Sequence, residues 1–268
     1  MSNNDSNKHF DQVLSIACQL YDHCRVVLEK EGTEKPDQQF NACCFFLNLY
    51  THAKAVQSLR NDRLNLASIA TLVLVRALIE TYESIAYLAI QDENEFKFRL
   101  QLITYHTKLD RIQLQYKANS LNDCEPIRQF LELKKDFLKH PKFECSTLSD
   151  LKKRINKPLS KTIKQSVSNR DRFHLTLEDR CQEHDINVER FKFYYAICCS
   201  FAHSGGYSIE IALSSAKDNT AMNQILEVAF MFLSKSILTM ANLFSECPIT
   251  TEDKAMLADY CNKLSNPI

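Results

Sequence analysis

The first residues that could do chemistry are a charged pair inside a hydrophobic stretch, Arg76 and Glu80. Residues four apart lie on one face of a helix, so the guanidinium and the carboxylate would meet there, with Glu83 near the same face. Because aliphatic residues surround both charges, we expect them to be partly buried and paired. Two interpretations stay open: an internal ion pair that fixes helix register, or an anion-binding arginine that the carboxylate orients.

The second candidate is His203, which follows an apolar segment containing Ser200 and precedes Gly205 and Gly206. An imidazole titrates near neutral pH and can act as a general acid or base where a glycine turn leaves it accessible. A carboxylate such as Glu80 close to it would orient the ring and raise its pKa. The alternative is structural, since the helix dipole favours a histidine cation at a helix C-terminus.

A third candidate is a basic stretch in the second half of the chain. Between Lys134 and Arg172 there are twelve Lys or Arg and four Asp or Glu, although the net charge of the whole chain is zero. Such a stretch could bind phosphates, and we predict Lys152, Lys153 and Arg154 as substrate-binding residues. The alternative is a solvated face whose lysines point outward.

The sequence predicts neither a metal site nor a cofactor. The histidines are dispersed, and there is no His-x-x-x-His, Cys-x-x-Cys or glycine-rich phosphate loop. The eleven cysteines include two adjacent pairs, Cys43-Cys44 and Cys198-Cys199, which suit small apolar positions in helices. The polar N-terminal segment and the lack of an apolar run of about 18 residues predict free thiols, a cytoplasmic protein and no membrane span.

These residues must be positioned by helices, because only three of 268 residues are glycine and sheet turns usually need it. The helix predicted near 65–90 is apolar nearly all round and should be central. Thr147, Thr176 and Thr250, each three residues before an aspartate, predict helix N-caps. We expect an all-α bundle of seven to nine helices in a single domain over 1–268, with a basic, weakly structured insert at 142–174. Other helices are predicted at about 6–30, 94–117, 126–140, 187–203 and 219–246, with one more that starts near residue 37 and a last one that ends near residue 264.

Two of these segments together resemble a bacterial family of helical proteins of unknown function. One is the helix with Arg76 and Glu80, and the other is the later helix with Tyr195, Ser200 and His203. In general form that family is similar to the HEPN bundles. The resemblance implies an HEPN-like fold, a homodimer and metal-independent RNA cleavage, as in toxin–antitoxin and phage-defence systems. It further implies an arginine that holds the scissile phosphate while a histidine moves a proton at the ribose 2′-hydroxyl.

The HEPN motif has an arginine and a histidine on one helix with about four to six residues between them. Arg99 and His106 have this spacing, two turns apart on one helix face. About one such pair is expected by chance in a chain of this composition, so the spacing alone does not locate a site.

We therefore predict a catalytic site in which Arg76, Glu80, Ser200 and His203 meet across two helices. The function predicted is an RNA-directed effector, with RNA as partner, acting as a metal-independent endoribonuclease. The alternative is a non-catalytic helical interaction or dimerisation module, in which every polar residue above has a structural role.

Overall fold

The structure, a computed structural model, describes residues 3–30, 38–60, 67–118, 124–166, 172–202, 220–244 and 246–265. All regular elements in these ranges are helical, which confirms the all-α fold class. They comprise eleven α-helices, where seven to nine were predicted, and the excess comes from short helices between residues 149 and 183. The α-helices are α1 (Asn3–Lys30), α2 (Gln38–Arg60), α3 (Ala67–Leu88), α4 (Glu93–Lys117), α5 (Glu125–Phe137), α6 (Ser149–Ile155), α7 (Leu159–Thr162), α8 (Leu177–Glu183), α9 (Val188–Ala202), α10 (Thr220–Ala241) and α11 (Thr251–Ser265).

Two of the three predicted N-caps form. The Thr176 hydroxyl accepts from Asp179 N at 3.1 Å, and the Asp179 carboxylate accepts from Thr176 N at 3.2 Å. Thr250 likewise accepts from Asp253 N at 3.1 Å at the start of α11. The prediction for Thr147 is wrong, because this residue lies in a short 3₁₀ helix and α6 starts without a side-chain cap.

The described helices belong to two compact units, Met1–Ala89 with Cys181–Ile268, and Ile90–Arg180. In the first unit α3 packs against α2, α9 and α10, and α10 also packs against α1 and α11. These three neighbours cover much of α3, whose Val75, Leu78 and Ile79 are fully buried. Its predicted central place is therefore confirmed.

The second unit is built on α4 and α5, with two 3₁₀ helices (Pro141–Glu144 and Ser146–Leu148), α6 and α7 following. The predicted insert at 142–174 starts in the first of these 3₁₀ helices. Three of its apolar side chains are buried in one cluster with residues of α4 and α5: Phe143, Leu151 and Ile155. The remaining core of this unit comes from the long helices: Phe98, Leu102, Tyr105, Leu109, Ile112, Phe130 and Phe137. The predicted arrangement of one domain with an insert stays a prediction.

All eleven cysteines are free thiols, as the sequence predicted. Among the described helices, none has both the length and the apolar character needed to cross a bilayer. The two most apolar helices, α3 and α10, are core helices of the first unit.

Candidate functional site

Arg76, Glu80 and Tyr195 form a chain of hydrogen bonds that joins α3 to α9. Arg76 Nε donates to Glu80 Oε1 at 2.9 Å, and the Tyr195 hydroxyl donates to the same oxygen at 2.8 Å. The guanidinium carbon also lies 5.7 Å from the centre of the Tyr195 ring. The side chains of Arg76 and Glu80 are 27% and 45% exposed, so the pair is partly buried, as expected, and reaches solvent.

The charge state of this trio follows from its contacts. The hydrogen bond to Glu80 raises the pKa of Arg76. Burial and the hydrogen bond to Glu80 raise the pKa of Tyr195, so its hydroxyl stays protonated and acts as the donor. One turn further along α9, burial raises the pKa of the Cys198 thiol to about 12, which suits a core residue rather than a nucleophile.

The terminal nitrogens of Arg76 are the part of the trio that could bind a ligand. Within the described residues, Arg76 makes its hydrogen bond through Nε, and Nη1 and Nη2 make none. Glu80 therefore orients the guanidinium without occupying its outer edge. A guanidinium held in this way can offer two parallel N–H donors to a phosphate or a carboxylate.

Tyr195 is placed by an aromatic contact one turn before it. The Phe191 ring stacks on Tyr195 with centroids 6.0 Å apart, and it packs edge-on against Phe232 of α10 at 5.9 Å. Phe191 is only 4% exposed, so it anchors α9 in the core. The sequence did not predict Tyr195 as a site residue, although it formed part of the resemblance. The signal that could have found it is the pair of aromatic residues four apart on an apolar helix.

The structure does not test the predicted meeting of Arg76 with His203. His203 comes directly after the last residue of α9 and lies outside the described residues. Ser200 lies within α9, and its side chain is outside the described part. Glu83, which the sequence placed near the same face as Arg76, is buried, with 8% of its surface exposed.

The three predicted basic residues of α6 do not line one common surface, because consecutive residues of a helix lie on different sides. Lys152 lines a groove that also involves α5. Lys153 is exposed and lies 3.4 Å from Asp150. Arg154 lines a small cavity of about 50 Å³ beside His106.

Arg99 and His106 are both buried in the second unit, with 3% and 4% of their surfaces exposed. Arg99 Nε donates to Glu95 at 2.7 Å. Glu95 also forms an ion pair with Lys142, and His174 Nε2 lies 3.5 Å from it. This cluster links α4 to the segments after α5 and gives Arg99 a structural role.

No group of three or more His, Cys, Asp or Glu side chains is placed to hold a metal ion in the ranges that the structure describes. A fixed guanidinium can bind an anion, and the carboxylate and the hydroxyl keep it in place.

Comparison with known proteins gives a family and no function. The family of unknown function DUF5677 matches residues 39–220. The matched range starts in α2, ends at the first residue of α10 and includes Arg76, Glu80 and Tyr195. No curated protein and no solved structure matches the chain.

Proposed function

The chain belongs to the DUF5677 family of unknown function, and we propose that it is an HEPN-like helical effector that cleaves RNA without a metal ion. The observation that supports this most is the guanidinium of Arg76, which Glu80 fixes through Nε and whose outer edge makes no hydrogen bond to any described residue. An arginine that only joined two helices would be expected to use its terminal nitrogens within the protein. Toxin–antitoxin or phage-defence systems are the proposed setting.

The proposed reaction needs one anion-binding group and one proton-transfer group. Nη1 and Nη2 of Arg76 bind the non-bridging oxygens of the scissile phosphate. His203 takes the proton of the ribose 2′-hydroxyl while the 2′-oxygen forms a bond to phosphorus and the bond from phosphorus to the 5′-oxygen breaks. The leaving 5′-oxygen then takes the proton from the imidazolium. The products are a 2′,3′-cyclic phosphate and a 5′-hydroxyl end.

The test is RNA cleavage in the presence of EDTA by the wild type, Arg76→Ala and His203→Ala. Each substitution should lower the cleavage rate by about 100-fold or more, because each removes a transition-state contact. Arg25→Ala is the matched control, since Arg25 pairs with Glu29 at the same i, i+4 spacing on α1 and is 56% exposed. Intact RNA at high enzyme concentration, or an equal loss in the control, would contradict the proposal.

A second candidate is a non-catalytic interaction or dimerisation module. Large apolar side chains are exposed on both helices of the site: Val73, one turn before Arg76, is 45% exposed, and Phe193 is 53% exposed. This candidate places a second copy of the chain on these residues, as in the expected homodimer. Phe193→Asp should then convert a dimer into a monomer by sedimentation velocity, and a wild type that is monomeric at high concentration would contradict it.

A further inference from the structure

The second unit contains a groove of about 420 Å³ between α5 and α6, which we call the lysine groove. Five of its lining residues come from α5 and the turn that follows it, and two come from α6 and its C-cap. Four are lysines and two are leucines: Lys134, Lys135, Lys139, Lys152, Leu131 and Leu138. The volume lies within the range of about 300–1,000 Å³ that is common for small-ligand sites.

The positive charge of the lysine groove is poorly balanced. No aspartate or glutamate is among the described residues that line it. Lys139 pairs with Asp136 at 3.0 Å, whereas Lys135 and Lys152 form no ion pair with any described residue. Uncompensated amino groups that share a concave surface attract anions more strongly than isolated surface lysines do.

One wall of the lysine groove is held by Lys134. Only 9% of this residue is exposed, and its amino group donates to the backbone carbonyl of Lys157, just beyond α6. Burial lowers the pKa of Lys134. This contact ties α5 to the segment just after α6, and these two helices supply most of the residues that line the groove.

The floor of the lysine groove is apolar. Leu131 is 43% exposed on α5, and Leu138 is half-buried on the same side of the chain, seven residues later. A solvated lysine face needs no exposed leucine beneath it. A ligand that carries both phosphates and a flat ring matches charged walls with an apolar floor, because the ring can cover the leucines while the amino groups bind the phosphates.

We propose that the lysine groove binds single-stranded RNA, with Lys135 and Lys152 on successive phosphates and a base against Leu131 and Leu138. The inference rests on the proposed action on RNA and names where the substrate strand is held. Of the three residues predicted on α6, Lys152 alone lines the groove, and its partners come from α5.

The experiment measures binding of a fluorescein-labelled oligouridylate to the full-length protein by fluorescence anisotropy at several salt concentrations. The His203→Ala background prevents cleavage during the measurement. Lys135→Glu with Lys152→Glu should weaken binding about tenfold or more at low salt. The slope of log affinity against log salt should fall by about 1.4, since each phosphate contact on a single strand contributes about 0.7.

The matched control replaces two exposed lysines outside the groove, Lys117 at the end of α4 and Lys161 in α7. Lys117→Glu with Lys161→Glu makes the same change in net charge and should leave the salt slope unchanged. Leu131→Ser tests the floor: it should weaken binding of the oligouridylate a few-fold without changing the salt slope. Inorganic phosphate, uridine monophosphate and polyglutamate are the competitors; the nucleotide should compete better than phosphate, and polyglutamate should compete less well than unlabelled oligouridylate.

Four results would overturn the inference: no binding by the wild type at low salt, equal loss in the control, equal competition by polyglutamate, or no advantage of the nucleotide over phosphate. The failure of this inference can be told from that of the proposed nuclease. Binding lost in the groove variant, with no cleavage by the wild type, keeps the groove and removes the nuclease. Cleavage by the wild type, with normal binding in the groove variant, keeps the nuclease and removes the groove as the RNA site.

Discussion

Replacing Arg76 with alanine separates a functional arginine from a structural one, because the two roles predict different losses of stability. The i, i+4 pair with Glu80 reaches solvent, and such pairs contribute about 0.5 kcal/mol. The guanidinium near the Tyr195 ring adds about 0.5–1 kcal/mol. The hydrogen bond from Tyr195 to Glu80 stays in Arg76→Ala. The free energy of unfolding should therefore fall by about 1–1.5 kcal/mol.

That loss lowers the melting temperature by about 2–6 °C in a protein of this size. A fully buried ion pair would cost about 3–5 kcal/mol when one partner is removed. If Arg76 holds the phosphate, the cleavage rate should fall by about 100-fold to 1,000-fold in Arg76→Ala. That fall is far larger than any decrease in the fraction of folded protein could cause. Urea denaturation followed by circular dichroism measures the loss of stability, and single-turnover kinetics measure the loss of cleavage rate.

Arg76→Lys sharpens this comparison, since lysine keeps the charge but loses the two parallel donors of the guanidinium. It should fold as well as the wild type and cleave RNA as poorly as Arg76→Ala. Two results would refute the reasoning: a loss of 3 kcal/mol or more in Arg76→Ala, or full activity in Arg76→Lys.

Three further predictions concern the second unit. Glu95→Gln should lower the free energy of unfolding by about 3 kcal/mol, because it removes the carboxylate from a largely buried ion cluster. Glu93 is exposed, so Glu93→Gln should lower it by less than about 0.5 kcal/mol. Equal losses of stability for the two variants in urea denaturation would contradict this prediction. Burial lowers the pKa of His140, so below about pH 6.5 the unfolded chain takes up a proton that the folded protein resists, and the free energy of unfolding should decrease as the pH is lowered. His140→Asn should reduce this pH dependence of stability, and an unchanged pH dependence would contradict the prediction. A hydrogen bond between the Cys145 thiol and the Thr147 hydroxyl lowers the pKa of the exposed Cys145, while burial raises the pKa of Cys44. Iodoacetamide should therefore alkylate Cys145 before Cys44 in a time course followed by mass spectrometry, and the reverse order would refute this prediction.

The sequence predicts the helices well because their signals are local. The apolar period of 3.6 and the caps at Thr176 and Thr250 each depend on residues close together in the chain, and the scarcity of glycine disfavours sheets throughout it. The short helices between residues 149 and 183 are harder to predict, since four to seven residues give too few turns for a period to be recognised.

The candidate site is only half predictable, because part of it depends on contacts between distant residues. The pairing of Arg76 with Glu80 follows from their spacing on one helix. The bond from Tyr195 to Glu80 joins residues 115 positions apart and requires the packing of α9 on α3. The lysine groove likewise needs α5 and α6 side by side, although the separation of Lys152 from Arg154 on α6 could have been foreseen from helix geometry.

The most direct test of the central claim is the chemistry of the RNA ends that the wild-type protein produces in EDTA. Metal-independent attack by the 2′-hydroxyl predicts 2′,3′-cyclic phosphate and 5′-hydroxyl ends, formed at the same rate with and without added magnesium. RNA that stays intact, or ends that carry a 5′-phosphate and form only with a metal ion, would contradict the proposed function.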